Sequence, residues 1–238
     1  MAVDKFEGTL APIAEHIFGM KDIFLNLCKK YQTPFYAYDS EAIDKSATRF
    51  FQAFNSNIPK FKYYYSVKIN SYEKISSRII SLGAGLEIAS LRELSMALES
   101  GCKDLLYYSP GKTSTDLKEI INHRQKIILH IDSFSELNRI ASLLSSLNSP
   151  LRAAVRINFT KCNNWSKYGI PLDDLLYFYE CANKISGLDI QGIHFHTSRN
   201  LTAEPYVQSI KKLGMYISEN FSDPLVKSLK YIDFGGGI

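Results

Sequence analysis

From about residue 61 onward the chain alternates two patterns: short runs rich in Tyr, Ile, Val and Leu, and segments whose apolar residues recur at spacings of three and four. The first suits a buried strand and the second an amphipathic helix, so strand follows helix follows strand. Strands are predicted at Phe61–Ile69, Gly85–Ala89, Leu105–Tyr108, Lys126–Ile131, Leu151–Ile157, Gln191–His196 and Lys230–Phe234, seven in all. Hydrophobic strands separated by helices imply a parallel sheet covered by helices. Near-regular repetition favours a TIM-type (β/α) barrel, with an open doubly wound sheet as the alternative.

Helix boundaries carry their own signals. Ser90 with Glu93, Thr113 with Asp116 and Ser133 with Glu136 fit capping boxes, and Gly101 and Gly187 sit where helices should stop. Tyr72, Ile75, Ile79 and Leu82 form one apolar stripe. Upstream, Phe35–Tyr38 reads as a short strand, and Ile43, Ala47, Phe50, Phe51 and Phe54 mark a helix capped near Asp39 or Ser40. The expected organisation is an N-terminal helical segment over 1–34 and a barrel over 35–238. A full barrel needs eight strands. The seventh runs into Gly235-Gly236-Gly237-Ile238 at the end of the sequence, so an incomplete barrel is expected. Its two parallel edges would be unpaired unless a second chain closes them or the sequence is a fragment.

Composition narrows the partners. Among 238 residues, 28 Lys and Arg stand against 24 Asp and Glu, a net charge of +4 spread along the chain, which is too mild to imply nucleic acid or a membrane surface. The four cysteines show no C-x-x-C pair, and the first twenty residues hold no long apolar stretch. A cytoplasmic protein is the expectation.

In such barrels reactive groups lie at the carboxyl ends of the strands. The first strand ends in Ser66-Val67-Lys68, where alternation sets Lys68 on the face of Ser66. A lysine there is either a solvated strand end or, if desolvated, an amine able to form an imine with a carbonyl. The sixth strand places His194 and His196 on one face. The two are core histidines or, with further ligands, a metal pair serving a hydrolase; no carboxylate–histidine cluster is apparent to complete such a site. The triple glycine either makes a sharp turn or brings backbone amides close to a phosphate. Glu87 and Arg156 stand where barrel strands prefer apolar residues, which implies a polar mouth.

Taken in order, TPFYAYD, YYYSVKIN, GAGLEIASLREL, LLYYSPGKT, VRIN with SKYGI, GIHFH and YIDFGGG resemble the pyridoxal-phosphate-dependent ornithine and diaminopimelate decarboxylase family, whose barrel is of the alanine-racemase type. The resemblance covers roughly Thr33 to Ile238. It implies pyridoxal 5′-phosphate as cofactor, an amino acid as substrate, decarboxylation as the reaction, and a homodimer or a second chain as partner. It makes Lys68 the covalent anchor of the cofactor aldehyde and stacks His196 on the ring. Gly235, Gly236 and Gly237 would receive the phosphate, with Glu87 and Arg156 lining the mouth. Where the family has His-x-Gly-Ser, this chain has His196-Thr197-Ser198-Arg199, so Ser198 or Arg199 would have to supply the phosphate hydrogen bond. The family's acidic residue on an eighth strand, the partner-completing segment and the C-terminal β-domain have no counterpart up to Ile238. Turnover by this chain alone is therefore expected to be nearly abolished, which leaves a non-catalytic cofactor-binding relative as the other reading.

Overall fold

The computed structural model describes residues 10–144, 149–159, 168–197 and 202–237. They fall into two compact units, Met1–Ser40 and Glu41–Ile238. The first contains helices α1 (Leu10–Gly19) and α2 (Lys21–Lys30), with the His16 Nε2 to Asp39 Oδ2 pair at 2.7 Å. Phe35–Tyr38, expected as a strand, joins no sheet among the described residues; Tyr36 is fully exposed.

Helix α3 (Ser40–Asn55) leads into the second unit, where strands and helices alternate as β1 (Tyr64–Ser66), α4 (Glu73–Ser81), β2 (Gly85–Ile88), α5 (Leu91–Glu99), β3 (Leu105–Tyr107), α6 (Ser114–Asn122), β4 (Ile127–Ile131), α7 (Phe134–Leu143) and β5 (Leu151–Asn158). Then come β6 (Ile170–Pro171), α8 (Leu175–Ala182), β7 (Leu188–His194), α9 (Glu204–Asn220), α10 (Asp223–Ser228) and β8 (Tyr231–Asp233). Every pairing is parallel, in the order β1-β2-β3-β4-β5-β7-β8, with β6 attached only to the far end of β5. Seven strands thus curl into an incomplete (β/α) barrel, and among the described residues no pairing joins β8 to β1.

The pleat sorts the side chains. Leu86, Ile88, Leu105, Ile127, Leu129, Ile131, Val155 and Ile193, all at most 1% exposed, pack with buried residues of the covering helices in one core. Each such side chain contributes about 1.5–3 kcal/mol on burial. The opposite face carries Ser66, Glu87, His130, Arg156, His194 and Asp233, and register aligns Ser66 with Glu87 and sets Arg156, His194 and Asp233 in one row. Lower in the strands, the rings of Tyr64 and Tyr231 occupy the places that a Cβ on Gly85 and Gly192 would take.

The capping residues behave as their chemistry requires. Ser90, Thr113 and Ser133 each accept the amide three residues on, and Asp116 completes a reciprocal box with Thr113. Glu93 and Glu136 reach one residue further back, to the amides of Ala89 and Asp132. Gly101 (φ 74°) and Gly187 (φ 83°) follow helix ends in the left-handed region. Two expectations need correction. Tyr72 stands just outside α4 and is exposed, so the inward stripe is buried Ser76 and Ile79 with half-buried Ile75 and Leu82. The first strand stops at Ser66, because Val67–Ile69 forms a single 3-10 turn over which the Tyr65 hydroxyl donates to the Asn70 carbonyl (3.0 Å).

Candidate active site

The 3-10 turn carries Lys68. Its Nζ donates to Glu87 Oε1 (3.0 Å), which also accepts from Ser66 Oγ (3.2 Å), so Lys68 and Ser66 share a side although the strand has ended. Buried Val67 faces the core instead. The Lys68 side chain is 55% exposed, so its amine is solvated and can be approached, not desolvated as an intrinsically activated lysine would be. Its Nζ also stands 5.8 Å from the ring of Tyr108.

Tyr108, which follows β3, is the hub that the sequence did not single out. The Arg156 guanidinium lies 4.9 Å from its ring and 5.1 Å from the ring of Tyr168. The same Tyr108 ring packs 5.1 Å from His194 and 6.1 Å from His130. Asp132 adds an opposite charge 3.5 Å from Arg156. Burial pulls Arg156 down to about 10, which leaves it a cation at neutral pH.

At the last two strands the chain brings His196 and the glycines together. Gly235 adopts φ 76°, and a Cβ there would sit 2.6 Å from His196 Nδ1. Glycine is therefore required twice over, by conformation and by proximity. Gly237 is also left-handed (φ 91°), and a Cβ on Gly236 would meet open space. Loss of water lowers the His196 pKa, helped by His194 and by the positive charges of Arg156 and Lys68. Those charges place Lys68, Arg156, Glu87 and His196 within electrostatic reach of one another. Ser198 and Arg199 lie outside the described residues.

Asp233 is the second residue that the sequence reading passed over. Its Oδ1 accepts the Gly235 amide (2.8 Å), while Oδ2 lies 3.2 Å from His194 Nδ1 and 3.8 Å from His130 Nδ1. Burial alone would raise its pKa, but His194, His130 and the Gly235 amide hold the carboxyl well below the usual range. Burial and the His194 ring push His130 down to about 3, so it is neutral. The expectation that no carboxylate–histidine cluster accompanies these histidines is therefore corrected. His194 joins His130 and Asp233 in a carboxylate–histidine cluster, and strand register explains it, since His194 is aligned with Asp233 while His196 lies past the end of β7. The signal was present in YIDFGGG, where alternation puts Asp233 on the same face as Tyr231.

The family model for the pyridoxal-binding domain of pyridoxal-dependent decarboxylases matches residues 44–238. The chain belongs to this family. Its cofactor is pyridoxal 5′-phosphate. Diaminopimelate decarboxylase of Helicobacter pylori (strain J99) is 27% identical over 235 residues, covering 93% of this chain and 56% of that protein. The Aquifex aeolicus enzyme of the same name is 28% identical over 225 residues, covering 89% and 52%. The crystal structure of the H. pylori diaminopimelate decarboxylase complexed with L-lysine superposes with a TM-score of 0.80 at 26% identity, over 90% of this chain and 57% of that one. The chain thus spans about half the length of the curated relatives it matches. Its own residues fit the cofactor. An approachable amine, an imidazole at the lip and a left-handed glycine turn touching that imidazole supply what an aldehyde, an aromatic ring and a phosphate require.

Proposed function

We propose that this chain is the cofactor-binding portion of a decarboxylase acting on a diaminopimelate-type amino acid. The observation that carries the reading is the convergence of Lys68 with Glu87 on one side of the mouth and of His196 with Gly235 on the other. The diaminopimelate decarboxylases among the relatives, one of them crystallised with L-lysine, support the substrate class.

Lys68 would hold the cofactor aldehyde, His196 would lie against its ring, and Gly235, Gly236 and Gly237 would take its phosphate through backbone amides. When bound, the cofactor supplies an electron sink for the pair left by carbon dioxide. Around it, the protein's own tasks are electrostatic. The Glu87 carboxylate holds the Lys68 ammonium at the mouth by a charge-assisted hydrogen bond. Arg156, close to the rings of Tyr108 and Tyr168, keeps a positive charge that neighbouring Glu87 and Asp132 counterbalance. His196, with its proton affinity lowered, presents a neutral ring. A homodimeric, cytoplasmic protein completes the proposal, on the family resemblance, with light scattering after size-exclusion chromatography as its check.

Addition of pyridoxal phosphate to the purified chain, followed by borohydride reduction and peptide mapping, is expected to place the label on Lys68. A label elsewhere, or none, overturns the assignment. Release of carbon dioxide from meso-diaminopimelate in preference to ornithine and arginine, by the enzyme containing this chain, tests the substrate class.

A further inference from the structure

Beneath the mouth, on the inward face of β4, β7 and β8, His130 is 1% and His194 5% exposed. Among the described residues, no hydrogen bond of good geometry reaches either nitrogen of either imidazole. His194 Nδ1 is at ion-pair distance from Asp233 Oδ2 yet is not aligned for a hydrogen bond. Each polar atom buried without a partner costs about 1–3 kcal/mol, so an occupant that takes up one nitrogen of each ring would be stabilising here.

The donor set identifies the kind. One ligating atom from each of His130, His194 and Asp233 lies within 4.8 Å of the others. A zinc-type ion with bonds of about 2.0–2.1 Å spaces tetrahedral ligands about 3.4 Å apart. The two separations from Asp233 Oδ2, 3.2 Å and 3.8 Å, straddle that value, and the two tilted imidazoles have centroids 4.8 Å apart. Two imidazoles and one carboxylate suit zinc-class ions rather than magnesium or calcium, which take oxygen donors. The Gly235 amide on Oδ1 turns Oδ2 toward the imidazoles, an orienting bond of the sort that metal-binding carboxylates carry.

We propose that His130, His194 and Asp233 form a binding site for one divalent transition-metal ion of the zinc class, separate from the cofactor anchor at Lys68. The three protein ligands leave a fourth position for water.

Pyridoxal compounds chelate metals themselves, so the test uses the full chain freed of cofactor. Cobalt(II) titration is expected to give the visible bands of a tetrahedral nitrogen–oxygen site at one equivalent per chain, and zinc should displace them. Lys68→Ala and His123→Ala keep the bands. His130→Ala, His194→Ala and Asp233→Asn lose them, with circular dichroism confirming that each variant is folded. A misfolded variant is replaced by nitrogen-15 NMR of the unsubstituted protein, in which zinc must move the ring nitrogens of both His130 and His194. Absence of the bands at millimolar cobalt overturns the proposal, as do bands that survive His130→Ala or ring nitrogens indifferent to zinc, the last meaning that water alone fills the space. Because Lys68→Ala retains the metal while losing the cofactor label, failure of this site and failure of the functional reading are separable.

Discussion

Two lysine–glutamate pairs stand at the carboxyl ends of the strands, and they differ in almost everything except their chemistry. Lys68–Glu87 is 3.0 Å long, with side chains 55% and 24% exposed. Lys112–Glu136 is 2.8 Å long, with side chains 0% and 1% exposed. Lys112 Nζ also donates to the carbonyls of Ser109 (2.5 Å) and His130 (2.8 Å), and with its side chain 0% exposed no ligand can reach it. Burial pulls the Lys112 pKa down and pushes that of Glu136 up, each opposed by the partner's charge. The buried pair ties the loop after β3 to the end of β4 and the start of α7. The open one holds an amine where a small molecule can meet it. Reactivity here follows access.

The contrast can be broken most decisively by chemistry. Borohydride trapping with the cofactor is expected to label Lys68 and never Lys112, and Lys68→Ala should remove the visible absorbance of the bound cofactor entirely. Next in size is stability. Lys112→Ala leaves Glu136 buried without its partner, and urea unfolding should show a loss of about 3–5 kcal/mol. The double variant Lys112→Met with Glu136→Leu removes both charges and should lie closer to the unsubstituted protein than either single change; a double variant less stable than both would show that the pair's charges themselves are required. Lys68→Ala, by comparison, should change stability by less than about 1 kcal/mol, as expected for a solvated pair. The smallest effect is a titration: without the Lys68 charge, the His196 pKa should move upward in an NMR titration.

Much of the scaffold was legible because its causes are local. Alternating apolar runs placed all seven barrel strands, and Ser90, Thr113 and Ser133 marked helix starts because a cap acts within three residues. β6 escaped notice, being two residues long and defined only by its pairing with β5. Phe35–Tyr38 failed as a strand for the complementary reason, since composition supplies β propensity but not a partner. At the site, Lys68, Glu87, Arg156, His196 and the glycines were marked by polar chemistry at strand ends and by the family resemblance. Tyr108, Asp233 and Lys112 were not. Their surroundings come from residues far apart in the chain, and a loop lysine would ordinarily be solvated.

Both hydrogen bonds from Lys112 Nζ among the described residues go to main-chain carbonyls. A peptide carbonyl is present whatever amino acid occupies positions 109 and 130, so this fastening depends on few side-chain identities. Side chains around the mouth can accordingly be exchanged while this foundation keeps its shape.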